Sequence, residues 1–325
     1  MTDALFGRRA SLTIAAGGSA LDLSEFHFRF QISAADFESP NSAVIRVYNL
    51  SRDTVRSLVG PTSEYTRVVV QAGYENGAFG VIFDGTIKQW RVGKENATTT
   101  YLDILAAEND VEYNFGVGNV TIAAGTTAID RMTQIAQAMG LSLGDLDPRI
   151  TGVVPSPRGK VAWGNARLQM RSLSKSLGAT WNIEGGKINV TTLQGYRAGE
   201  AVVISPATGM VGVPEQTDQG IKVRALINPR LRVGGLVQIA ADSINATSQA
   251  DLRADGVFQQ RNLPIGQVVY NSRYGATAYY ANVSTDGFYR VYAIDYSGDT
   301  RGQEWYADLI CLAVDISSQT VQAKN

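Results

Sequence analysis

The chain of 325 residues reads as mainly β with an α+β insert. Apolar and polar residues alternate at period two in its first and last thirds, the mark of strands with one buried face. A helical period takes over only in the middle, between residues 119 and 195. The 33 glycines fall mostly between apolar runs, where tight turns need them. A chain this long exceeds one ordinary core, so the expected units are 1–118, 119–195 and 196–325.

In the first section, Phe26, Phe28, Phe30 and Ile32 alternate with His27, Arg29 and Gln31, which predicts a half-buried strand. A second strand is expected over 44–50. Ser51 then precedes a short helix over 52–59, with Val55, Leu58 and Val59 on one face; Ser51 is the expected N-cap and Gly60-Pro61 the stop. Strands over 67–73 and 78–84 flank Tyr74-Glu75-Asn76-Gly77, and Asn-Gly marks a hairpin. Strands over 87–92 and 98–106 pair across residues 93–96. Strands, one short helix and two hairpins in this order predict a small barrel or sandwich.

In the middle section, Ile129, Met132, Ile135, Ala136 and Met139 line one helix face. Thr127 and Asp130 have capping-box spacing, and Gly140 is the stop. A second helix over 165–177 carries Ala166, Met170, Leu173 and Leu177 and ends at Gly178. Residues 181–183 and 187–192 form a hairpin over Glu184-Gly185-Gly186. Residues 145–162, with Pro148, Pro155 and Pro157, read as an extended loop.

The third section returns to period two. Ile221, Val223, Ala225 and Ile227 alternate with Lys222, Arg224 and Leu226. Gly234-Gly235 breaks the chain before a strand over 236–240. Residues 243–279 are polar and irregular and predict a long loop or arm, a length usually tied to function or assembly. Residues 288–296 and 305–314 close the section as an antiparallel pair.

The chemical inventory is thin. There is one histidine, His27, inside an alternating strand, and one cysteine, Cys311, inside an apolar run. A buried structural thiol is the natural reading of Cys311, and no intrachain disulfide can form. No zinc site of ordinary ligands and no Cys–His dyad is expected, and Gly116-Val117-Gly118 and Gly234-Gly235 lack nucleotide-site spacing. Two carboxylate groups are candidates for glycoside hydrolysis: Glu108, Asp110 and Glu112, expected in a solvated loop, and Asp299, Glu304 and Asp308, expected at a strand turn. No catalytic residue, metal ligand or cofactor is therefore expected. The net charge of -1 carries no nucleic-acid footprint. No segment approaches ~18 continuous apolar residues, and no signal-length apolar stretch follows Arg8 and Arg9, so synthesis in the cytoplasm without membrane insertion is expected.

Residues 209–239 and 287–314 resemble the C-terminal β-domain of hub proteins from the baseplates of contractile-tailed phages. The turn Gly212-Val213-Pro214-Glu215-Gln216, the strand 221–227 with Asn228-Pro229, and the corner Ser297-Gly298-Asp299-Thr300-Arg301-Gly302 carry the resemblance. The segment 45–51 running into a helix is similar to the tail-tube fold. The resemblance implies two tail-tube-like β-barrel domains plus the small α+β domain. It also implies a homotrimer forming a pseudo-sixfold ring in the virion tail baseplate. Partners implied are a central spike protein, a tail tube or tube-initiator protein, baseplate wedge or ring proteins and a tape measure protein, with DNA only as passing cargo. Tyr270, Tyr274, Tyr279 and Tyr280 are the candidate interface residues, with hairpin packing as the alternative. The rival readings are a tail tube or tube-initiator protein, and a peptidoglycan hydrolase or carbohydrate-binding module on a β-scaffold. The hub-like sections fill most of the chain, so any lytic activity is expected in a partner.

Overall fold

The computed structural model describes residues 5–16, 19–59, 65–150, 155–193, 195–217, 220–239, 268–271, 276–279, 287–314 and 323–324. The first section holds strands β1 (Arg8–Ala16), β2 (Ser19–Asp22), β3 (Phe28–Ala35), β4 (Ser42–Tyr48), β5 (Arg67–Tyr74), β6 (Phe79–Lys94) and β7 (Thr100–Ala107), with helices α1 (Arg52–Leu58) and α2 (Asp110–Phe115). The insert holds β8 (Val117–Ile122), α3 (Ala128–Ala138), β9 (Ser142–Leu146), β10 (Lys160–Asn165), α4 (Ala166–Ser176), β11 (Ala179–Glu184) and β12 (Lys187–Thr192). The third section holds β13 (Ala201–Ile204), β14 (Met210–Thr217), β15 (Gly220–Leu226), β16 (Leu236–Ile239), β17 (Val268–Asn271), β18 (Ala276–Tyr279), β19 (Phe288–Asp299), β20 (Trp305–Ala313) and β21 (Ala323–Lys324).

The chain is mainly β with an α+β insert. Its strands pair in the order β14-β15-β20-β19-β3-β4-β7-β6-β5-β1-β2, so both β-rich sections lie in one large antiparallel sheet. No closed barrel is traced among the described residues. The sections meet where β19 pairs with β3, in a register that runs from Ala293↔Ala35 to Asp299↔Arg29. Along β3, Phe28, Phe30 and Ile32 point inward while Arg29, Gln31 and Ser33 face out. The same alternation on β15 buries Ile221, Val223 and Ala225. These residues join Ile45, Val70, Ile104, Val291, Trp305 and Cys311 in one hydrophobic core that spans both sections. Burial of each such side chain contributes roughly 1.5–3 kcal/mol.

The insert has its own core, built from Met132, Ile135, Met139, Met170, Leu173, Trp181, Ile188 and Val190. α3 starts with the expected capping box between Thr127 and Asp130 and ends before Gly140, whose φ of +76° suits glycine. Asn165 caps α4 by accepting from Arg167 N at 3.1 Å. β11 and β12 turn over Gly185 and Gly186, both at positive φ, as a two-residue hairpin of the primed type requires. Ser51 caps α1 by accepting from Thr54 N at 3.0 Å.

Several expectations are corrected. The strand of the first section begins at Phe28, and Phe26 lies in the preceding turn, 36% exposed. The strands expected over 78–84 and 87–92 are one 16-residue strand, β6, which swings from β5 to β7 with register shifts against each partner. Residues 108–112 are no solvated loop: Glu108 and Asp110 are buried, and α2 starts at Asp110. The loop expected over 145–162 contains the end of β9, a short 3-10 turn at Pro148–Ile150 and the start of β10; β9 pairs parallel with β12, a non-local contact without a local signal. Residues 212–216 form no chain-reversing turn. They are an irregularity within β14, between Val211 and Glu215.

Candidate functional site

The corner singled out in the sequence is a polar clamp on the seam between the sections. Asp299 accepts from Arg301 N at 2.8 Å, Gly302 N at 2.7 Å, Arg29 Nε at 2.6 Å and His27 Nε2 at 2.8 Å. The His27 ring stacks on Tyr48 with centroids 4.5 Å apart. Burial works to raise the Asp299 carboxyl, but its two backbone donors, His27 and Arg29 outweigh it and hold the group below the usual carboxylate range. Asp308 instead forms a bidentate pair with Arg224 at 2.6 and 2.9 Å. Glu304 meets Asp299 only through its backbone carbonyl, which accepts from Asp299 N at 2.9 Å. The three carboxylates therefore serve separate structural ends and do not share a site. Cys311 is wholly buried, and burial pushes its thiol up to about 12, far from the reactive range.

The outward side of the large sheet carries cross-strand ion pairs. Arg29–Asp299 and Arg46–Asp103 are direct register partners, Arg224–Asp308 is another, and Arg67 reaches Asp84 at 2.6 and 2.8 Å. Arg46 also lies 3.9 Å over the ring of Tyr101, and its carboxylate partner raises its guanidinium pKa. Four arginines on this face are thus each paired with an aspartate, while Arg91, the other register partner of Asp103, bonds to Gln89.

A second polar cluster fastens the insert to the sheet. Arg290 on β19, 1% exposed, places Nη2 at 3.5 Å from Asp36 Oδ2 and donates through Nη1 to Thr192 O at 2.8 Å and Gly195 O at 3.2 Å. Thr180 Oγ1 on β11 donates to the same Asp36 carboxylate at 3.1 Å. Burial pushes Asp36 up, and Arg290 pulls it partly back. Arg197 pairs with Asp145 at 2.6 Å and with Glu184, and donates to Val233 O at 3.0 Å. Asn41 donates to Glu108 Oε2 at 2.9 Å and to Ile183 O at 3.4 Å, and Asn109 accepts from Gly186 N at 3.2 Å. Burial lifts Glu108 to about 8; the Asn41 donor opposes this and nearby Glu184 adds to it. The connection after β3, the end of β7 and β19 thus grip the β11–β12 hairpin through buried polar groups. No run of neighbouring residues marks this joint, because its partners sit far apart in the chain. An arginine at an otherwise apolar run, Arg290 between Tyr289 and Val291, is the one trace.

Beside Arg197 lies a cleft of roughly 210 Å³ lined by Asp145, Glu200, Arg230, Arg232 and Leu236, smaller than a typical ligand pocket of about 300–1,000 Å³. Among the described residues, no group of three or more His, Cys, Asp or Glu could hold a metal ion. No described helix is long and apolar enough to cross a membrane, which says nothing of crossing by strands. Tyr270 and Tyr279 lie on the antiparallel pair β17–β18, with Tyr270 opposite Thr277 and Tyr279 opposite Val268. Tyr274, Tyr280 and most of the 243–279 arm lie outside the described residues.

A family model for baseplate hub gp41 matches residues 9–248. A comparison with curated proteins finds no match. Among solved structures, the 43 kDa tail protein of prophage MuSo2 from Shewanella oneidensis has a TM-score of 0.56 at 9% identity, over 94% of this chain and 98% of that one. The tail protein from Neisseria meningitidis MC58 has a TM-score of 0.53 at 9% identity, over 95% and 97% of the two chains. The E. coli c3393 protein is described as a component of the type VI secretion system with structural similarity to the T4 tail proteins gp27 and gp5. It has a TM-score of 0.56 at 10% identity, over 96% of this chain and 79% of that one. At these identities the structural likeness establishes the fold alone.

Proposed function

The chain belongs to the baseplate hub gp41 family of phage tails, and from that premise we propose that three copies form a pseudo-sixfold ring joining a sixfold tail tube to a threefold central spike. Each copy would contribute two β-rich units, residues 1–118 and 196–325, with residues 119–195 as a third unit on the ring. The observation that carries this reading is the β19–β3 seam. It makes the two units one sheet over one core, so their relative orientation is fixed. Two fixed, quasi-equivalent positions per chain are what a threefold assembly needs to present six.

The outward ion-pair face supports a channel role. Four of its arginines are matched by aspartates, so it offers little free positive charge to hold a passing polyanion. In this reading the protein is made in the host cytoplasm, resides in the virion baseplate and performs no reaction. Its partners are a spike protein, a tube or tube-initiator protein, wedge or ring proteins, a tape measure protein and DNA in transit. The likeness of the c3393 relative to T4 tail proteins supports the spike and tube assignments.

Native mass spectrometry of the purified chain, alone and with a trimeric spike protein, tests the proposal. The expected species is three times the 34.9 kDa of one chain, alone or on the spike. A strict monomer that binds no tail component overturns it.

A further inference from the structure

The ribbon formed by β8 and β10 belongs to neither the large sheet nor the β11–β12–β9 sheet. One of its faces packs on the insert, burying Ile122 and Ala162. The other carries Val161, Trp163 and Val117, which are 72%, 80% and 59% exposed. The register sets Val161 opposite Thr121, Trp163 opposite Asn119 and Asn165 opposite Val117, so these side chains share one face. At the ribbon's end, where Ala166 N donates to Gly116 O at 3.0 Å, Phe115 and Leu168 are also exposed. A tryptophan standing almost free on a two-stranded ribbon gains nothing from the fold that holds it.

We propose that this face is a docking site for a protein partner whose contact segment carries apolar side chains bordered by carboxylates. With aromatic side chains counted at about 200 Å² each, the exposed apolar area is on the order of 500 Å². That lies in the upper part of the ~300–600 Å² of the largest apolar patch on a typical monomer, a patch that is often functional, and is more than half of the ~800 Å² one partner contributes to a standard interface. Tryptophan is also the residue type most often found at binding hot spots.

Charge selects the occupant. Residues 113–129 contain no charged side chain, and residues 148–183 contain six Lys or Arg and no Asp or Glu. Arg158 and Lys160 are exposed where the chain enters β10, and Lys175 is exposed on α4. The nearest carboxylate after β8, Asp130, is engaged by Thr127 in the α3 cap. Glu112 lies one turn before Phe115 on α2, and Arg171 is paired with Glu38, but the unpaired charge beside β10 is cationic, and it attracts an apolar segment with an anionic border. The aliphatic share of the face, Val117, Val161 and Leu168, favours protein over nucleic acid, whose bases stack on flat rings. This inference stands on the ribbon and not on the ring, so either can fail alone.

The test is selection of a phage-displayed library of random peptides, about 12 residues long, on the full-length chain, followed by titration of the best synthetic peptide. Selected peptides are expected to combine Leu, Phe or Trp with Asp or Glu. Trp163→Ala should weaken the best one at least tenfold, about 1.4 kcal/mol. Arg158→Glu, ahead of the strand, should weaken it further, and added salt should weaken the wild-type complex. Trp163 packs against little, so an unchanged unfolding transition shows that Trp163→Ala still folds. No enrichment, peptides without carboxylates, or equal binding by the Trp163 variant overturns the proposal. So does Trp163-dependent binding to an oligo-dT strand or to vesicles with about one-third anionic lipid, or self-association lost in that variant.

Discussion

Arg290→Met should unseat the insert without dissolving the large sheet. The side chain is buried, and its removal strips the counter-ion from Asp36 and the donor from two carbonyls, Thr192 O and Gly195 O. Breaking one side of a buried ion pair costs about 3–5 kcal/mol, chiefly because the other side is left alone. Asp36 is already pushed toward its neutral form by burial, so it can take up a proton and soften the loss. The expected cost therefore lies near the lower end, about 3 kcal/mol. Adding Asp36→Asn removes the stranded carboxyl while keeping an acceptor for Thr180, and should recover about 1 kcal/mol or more of the loss. Two separate cores make a single global transition a poor reporter. Hydrogen exchange read separately over β11–β12 and over β3–β4 is the suitable assay. Loss of protection is expected in β11–β12 first. A cost under about 1 kcal/mol, or equal loss of protection in both hairpins, would refute the assignment of Arg290 as the fastener.

Glu108 gives a pH prediction. Its carboxyl is raised from the ordinary 4.5 to about 8, so between those values the folded chain holds a proton that the unfolded chain has released. Its contribution to stability is full below about pH 4.5, is lost as pH rises through about 8, and stays flat above that. In Glu108→Gln the fall attributable to this group, at most a few kcal/mol, should vanish; denaturation midpoints for both chains across pH 5–9 decide it, and parallel profiles count against the buried-carboxyl account. Gly298→Ala would put a Cβ at 2.2 Å from Phe30 Cζ on the β19–β3 seam. Overpacking of that kind costs about 1–3 kcal/mol, and thermal unfolding that stays unchanged would show the seam to be looser than described.

Most of the elements were legible because they rest on neighbours in sequence. The caps at Ser51 and Thr127, the stop at Gly140 and the hairpin over Gly185-Gly186 each need only a few residues, and each is present. What escaped depends on residues that meet across the fold. β6 reads as two strands because its apolar phase slips at the bulge around Lys88, where it changes partner. Glu108 and Asp110 read as solvated because charge in a short polar run normally means water. Asn41, 67 residues away, and Lys88, 22 residues away, make their burial tolerable, with Asn114 as a local donor to Asp110. Parallel pairing of β9 with β12 encloses one α-helix, a short 3-10 turn and two strands, and nothing within five residues of Leu143 announces it. The joint built on Asp36, Arg197 and Arg290 is likewise a property of the fold.

The period-two pattern that revealed the strands also decides what their outer face presents. Every inward Phe, Ile or Val on β3 and β4 commits its neighbour to the opposite side, and there Arg29 and Arg46 stand side by side in register. Two adjacent arginines alone would repel each other and attract a polyanion. Asp299 on β19 and Asp103 on β7 flank them directly in the same row, so each arginine has a carboxylate beside it, and Arg91 on β6 meets Asp103 from its other side. Each pair is partly exposed and adds little to stability by itself. Its effect is on the field: a face of close Arg–Asp pairs, in a chain of net charge -1, has dipoles without a large potential. Such a surface stays wet and ordered and has few counter-ions to release to a passing nucleic acid, so any affinity it has should be weak and nearly independent of salt. Replacing Asp103 by Asn frees Arg46, and it should then introduce measurable, salt-sensitive retention of the chain on a DNA column. Retention already strong in the unaltered chain would contradict the balanced face.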